Sequence, residues 1–105
     1  MQIPESVKVG PYTYAVVYEE QIRAEDDRRL KGQADHMALT IRLVAGMARE
    51  HTEETFLHEL LHCIECVYEM RLKEREIGLF SVGLLAALRD NGLLREDDPL
   101  PPETP

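Results

Sequence analysis

The hydrophobic pattern changes period midway along the chain. In residues 6–18, Val and Tyr alternate with polar neighbours, and Gly10-Pro11 marks a turn. Beyond it, Tyr12, Tyr14, Val16 and Tyr18 fall on one side and Thr13, Ala15 and Val17 on the other, which predicts a strand or a hairpin. Residues 19–31 are mostly charged and read as a loop or a short solvated helix, ended by Gly32. Residues 38–43 alternate again. Leu39, Ile41 and Leu43 oppose Thr40 and Arg42, the pattern of a half-buried antiparallel strand.

From about residue 52 the period becomes helical. Leu57, Leu60, Leu61, Ile64, Val67 and Tyr68 recur at helical spacing to about residue 71. Thr52 reads as the N-cap, Glu53 and Glu54 suit the positive end of the helix dipole, and Tyr68 reads as core. A second helical pattern runs from 73 to 90 through Leu79, Phe80, Val82, Leu84, Leu85 and Leu88, and Asn91-Gly92 stops it. Residues 95–105 are acidic and Pro-rich and read as a disordered tail. Strands first and helices second predict an α+β fold. A small antiparallel sheet packs on two main helices, within one domain covering residues 1–94.

Composition narrows the function classes. The 105 residues are 44% apolar and 30% charged, the balance of one small soluble domain. A net charge of −8 with no run of Lys and Arg argues against a nucleic-acid partner. The pair Arg28-Arg29 follows Asp26-Asp27 and is largely neutralised locally. No stretch approaches the ~20 apolar residues of a membrane span, and no signal peptide is read, so a cytoplasmic location is expected. Two cysteines three positions apart do not make a disulfide framework. A core this small gains from a bound metal.

The stretch HELLHCIEC, residues 58–66, carries the candidate chemistry. His58 and His62 stand one helical turn apart on one face, so both imidazoles can reach one Zn²⁺. Glu59 is rotated by ~100° from His58, wrong for a third ligand but suited to a general base beside the metal. Leu60 and Leu61 anchor the motif in the core. The alternative is a pair of ordinary surface or core histidines. Gly at 65 and His at 68 would extend the motif, but Glu65 and Tyr68 occupy those positions. A third ligand is therefore sought on the next helix. Glu76 shares a face with Phe80, Gly83, Leu84 and Ala87, which is apolar or small and reads as packing inward. A carboxylate buried there needs a partner, and zinc is a natural one. Glu74, on another side nearer Ser81, is the second choice, and Cys66, one turn past His62, is the rival. Cys63 and Cys66 read mainly as small buried hydrophobes, because no second pair completes a zinc ribbon. His36 and His51 read as surface residues.

The segment TFLHELLHCIE, with ALTIRL before it and EREIGLFSVGLLAALRDN after it, resembles the small gluzincin-type zinc peptidases of phages and bacterial mobile elements, the minigluzincins. The likeness covers roughly residues 30–92. It implies a zincin-like minimal core and a zinc endopeptidase acting on a peptide or protein substrate. It assigns His58 and His62 as metal ligands, Glu59 as base and proton shuttle, and a Glu of the following helix, here Glu76, as third ligand. The strand before the zinc helix, residues 38–43 with Thr40 and Arg42, would hold the peptide at an edge. Cys63 and Cys66 depart from the small or apolar residues usual after the second histidine. The competing expectation is a non-catalytic, zinc-stabilised interaction module, such as a small phage accessory protein.

Overall fold

Strand pairing begins at the two-residue turn Gly10-Pro11. Gly10 takes a φ of 57°, as the primed hairpin turn with glycine first demands. It joins β1 (Ser6–Val9) to β2 (Tyr12–Glu19). The structure, a computed structural model, describes residues 1–94; the stretch read as a tail, 95–105, lies outside the described residues. A small separate ladder of β3 (Ile22–Arg23) and β4 (Arg29–Leu30) follows. Next come β5 (Gly32–Asp35), β6 (Thr40–Val44), α1 (Arg49–Val67) and α2 (Glu74–Asp90). The fold is α+β, as the order of patterns predicts. The charged segment 19–31 is neither a plain loop nor a helix, because Asp27, at φ 66°, turns the β3–β4 hairpin.

The main sheet has the order β1-β2-β6-β5. It is mixed and not antiparallel as expected: β2 and β6 run parallel, with Val16 opposite Ile41, while the other neighbours are antiparallel. The chain leaves β2, crosses through β3, β4 and β5, and returns beside β2, which is how parallel neighbours must be connected. Period-two alternation reports which face is buried and carries no information on the direction of a neighbour.

One sheet face supplies Tyr14, Val16, Ile41 and Leu43 to the core; α1 adds Phe56, Leu57 and Cys63, and α2 adds Leu85. Leu39 falls outside β6, at φ 52° in the turn between β5 and β6. Asp35 Oδ1 accepts the Met37 and Ala38 N–H groups there, at 3.1 and 2.9 Å. Helix α1 starts one turn earlier than expected, with Ala48 as N-cap. Thr52 is therefore not a cap; it is buried inside the helix, where its hydroxyl donates to Ala48 O at 3.1 Å. The added turn contains Glu50 and His51, both exposed, so it has no apolar signal to announce it. Tyr68, expected in the core, is exposed at the C-cap of α1.

Helix α2 begins at the expected place but presents a different face. Ile77, Ser81 and Leu85 are its buried positions. The single Ser81 O–H is shared between Gly78 O at 2.9 Å and Glu54 Oε1 at 3.1 Å, which satisfies a hydroxyl that would otherwise be costly to bury. Arg89 reaches the buried Glu53 of α1 at 3.6 Å. The face with Phe80, Gly83, Leu84 and Ala87, expected to pack inward, is exposed. Among the described residues, no helix is long and apolar enough to cross a membrane.

Candidate metal centre

His58 and His62 project from one side of α1, with ring centroids 5.0 Å apart. The helix places them so because four residues make just over one turn. Both Nε2 atoms face the same carboxylate on the first turn of α2. His58 Nε2 lies 2.7 Å from Glu74 Oε1, and His62 Nε2 lies 2.8 Å from Glu74 Oε2. The three residues form a group whose ligand atoms all lie within 4.8 Å of one another and can hold a metal ion.

The third member is Glu74, not the expected Glu76. Glu76 Oε1 accepts the Lys73 N–H at 2.7 Å, so this carboxylate closes the first turn of its own helix. The inward face of α2 runs through Glu74, Ile77, Ser81 and Leu85, at spacings of three and four. Glu76 lies off that face. The side with Phe80, Gly83, Leu84 and Ala87 is the more apolar, yet the buried side is that of Ile77, Ser81 and Leu85.

Two imidazoles and a carboxylate are a donor set that zinc takes readily. A tetrahedral ion with bonds of ~2.0–2.1 Å holds its ligand atoms roughly 3.3 Å apart. The observed N–O separations are shorter by about half an ångström by that measure, and Glu74, with a side chain 70% exposed, is free to draw back. The residues fit the ion. Without it, a ring N–H of each histidine donates to the carboxylate; ligation replaces those protons.

His62 has a further support that the sequence reading missed. Its Nδ1 lies 3.4 Å from Glu65 Oε1, and Glu65 Oε2 accepts the Leu72 N–H at 2.7 Å. One carboxylate thus orients the imidazole and ties down the link between α1 and α2. Its position three residues after His62 is the signal that could have marked it.

Glu59 is buried beside the pair. Burial pushes its carboxyl above the ordinary value, the charges of His58 and His62 pull it back, and Glu74 raises it further. The Ala34 N–H of β5 hydrogen-bonds to it. Gly32 lets β5 approach α1 this closely: a Cβ there would lie 2.6 Å from Thr55 Cγ2 and 3.2 Å from Glu59 Cγ. A cleft of about 590 Å³ opens over these groups, lined among others by Gly32, Ala34, His36, His58, Glu59 and Glu74.

Thr40 and Arg42 are not at the rim as expected. Strand β6 is interior, bonded to β2 on one side and β5 on the other, so its main chain has no free edge. Arg42 bridges the sheet through the Glu19 carboxylate and the Gln33 amide, and the Thr40 hydroxyl donates to Ala38 O at 3.1 Å. The exposed edge beside the cleft is β5. Its sequence, GQAD, has too few apolar residues to signal a strand, as suits a short edge.

The cysteines separate. Cys63 is in the core, its thiol pushed up to about 12 by burial and then by the Glu59 charge. Cys66 is exposed and lies outside the ligand group, although it borders a second hollow with His62. We expect a chromogenic thiol reagent to titrate one thiol per native chain at neutral pH, with the second appearing only on unfolding. Two fast thiols, or none, would contradict this placement. The ligand assignment has its own check. Glu74→Gln should weaken zinc binding by about ten- to a hundredfold or more, and Glu76→Gln should leave it unchanged, by competition with a chromogenic chelator. Equal losses would return Glu76 to the site.

Comparison with protein-family models, with curated proteins and with solved structures finds no match for this chain.

Proposed function

We propose that the chain is a zinc-dependent peptidase of gluzincin type. The observation that carries this reading is the convergence of His58, His62 and Glu74 in a cleft that also holds the buried carboxylate Glu59. Bound zinc would supply Lewis acidity and bring the pKa of a water toward ~7.

The chain's own residues do the rest. A peptide adds as a further strand along β5, the edge bordering the cleft, where main-chain bonds hold the scissile carbonyl in place. Glu59 takes a proton from the attacking water and delivers it to the departing amine nitrogen. Its raised affinity for a proton, set mainly by burial, suits both halves of that task. His36 borders the same cleft, and its Nδ1 lies 3.1 Å from the Tyr14 hydroxyl. Burial pushes Tyr14 up to about 12, so it stays a neutral O–H that can donate to Nδ1. Nε2 is then the ring nitrogen of His36 left to meet a substrate oxygen.

The test is cleavage of a mixed peptide library by zinc-loaded wild type and Glu59→Gln. Glu59-dependent cleavage supports the reading. Zinc binding without such cleavage would leave a non-catalytic, zinc-stabilised interaction module.

A further inference from the structure

From Ile77 to Leu88, helix α2 carries no charged residue, in a chain that is 30% charged. Only one side of it packs on α1. The rest leaves Leu79 63%, Phe80 60%, Val82 56% and Leu84 41% exposed. A helix that is apolar all round is normally covered on every side. One exposed leucine is ordinary, whereas several large apolar side chains within two adjacent turns mark an interaction surface.

We propose that this face is a homodimer interface, in which α2 packs antiparallel on α2 of a second copy. The helix is complementary to itself read backwards. A two-fold axis between Val82 and Gly83 sets Leu79 against Ala86 of the second copy and Phe80 over the gap between its Gly83 and Ala87. Leu79 and Phe80, the large side chains of the seam, thus meet small ones, and Val82 and Leu84 flank it on opposite sides. The notch at Gly83 is open: a Cβ there would meet nothing within 4 Å. The same axis brings Arg75, in the first turn, to Asp90, in the last, so opposite charges close both ends. A parallel pairing would stack Arg75 on Arg75 and Leu79 on Leu79. Antiparallel packing also opposes the two helix dipoles. An unrelated partner would not require this internal symmetry, whereas a two-fold dimer does, since each patch must fit itself. Glu74 faces α1, away from this surface, so the dimer leaves the metal group accessible.

The contact runs along a single helix of 17 residues. That is the small end of stable interfaces, so the association should be reversible and concentration-dependent. Sedimentation equilibrium from about 1 to about 500 µM tests it. Wild type should pass from monomer to dimer within that range. Leu79→Glu should weaken association by about tenfold or more, with an unchanged circular dichroism spectrum, as expected for a side chain this exposed. Arg75→Asp and Asp90→Arg should each weaken the dimer, and the double variant should restore it. The charge-swap rescue identifies the antiparallel register. Wild type that stays monomeric throughout, or a dimer indifferent to Leu79→Glu, overturns the proposal; the first outcome would assign the face to a different protein.

Discussion

Replacing Glu59 with glutamine is expected to cut peptide cleavage by about 10²–10⁴-fold while zinc content stays at the wild-type level. Glutamine keeps the shape and can still accept the Ala34 N–H, but it cannot take a proton from water. Neither His58 nor His62 is touched, so the metal group survives. Stability offers a second readout with a definite sign. Burial raises the folded-state pKa of Glu59 above its ordinary carboxylate value. The native state then binds this proton more tightly than the unfolded state does. The group's favourable contribution is complete below the unfolded value of about 4.3 and is lost as pH rises through the folded value. Above the unfolded value the metal-free wild type therefore bears a cost at this buried carboxyl that Glu59→Gln does not. The variant should melt at or above wild type at neutral pH, and the advantage should shrink in acid. A variant that still cleaves removes Glu59 from the chemistry; one that is inactive and also markedly less stable gives the residue a packing role instead.

Excess zinc is expected to raise the melting temperature strongly, and His62→Ala is expected to abolish the response. A ligand that binds only the folded chain stabilises it by about 4 kcal/mol at a free concentration a thousand times its dissociation constant. For a domain of 105 residues that is a shift on the order of 15 °C or more. The group joins α1 to α2 through Glu74, so the ion closes the contact between the helices as well as filling a site. His62 is the sharper choice to remove, because its loss also takes away the Nδ1 contact of Glu65, which holds Leu72 in the link to α2. Differential scanning fluorimetry with zinc and with chelator reads the shift directly. A wild-type transition that neither reagent moves would sink the metal centre and the peptidase reading with it. Glu76→Gln should keep the full response, since that carboxylate serves only its own helix cap.

Local chemistry along the chain determined a good deal. The helical spacing of His58 and His62 brings both rings to one side wherever the helix lies, and the next position, Glu59, is turned aside from them whatever surrounds it. The Gly10-Pro11 turn, the alternation in β2 and the stop at Asn91-Gly92 are likewise local, set by backbone preference and periodicity. Long-range packing decided the rest. The parallel pairing of β2 with β6 and the placing of GQAD at the rim depend on how distant segments meet, which a period of two does not encode. The third member of the His58–His62 group is the clearest case. Between Ile77 and Leu88 the helix is apolar on nearly every side, so hydrophobicity could not tell which side faces α1. The side through Ile77, Ser81 and Leu85 packs on α1, with Ser81 meeting Glu54 across the helix pair, and that rotation places Glu74 at the histidines and leaves Glu76 to cap its helix.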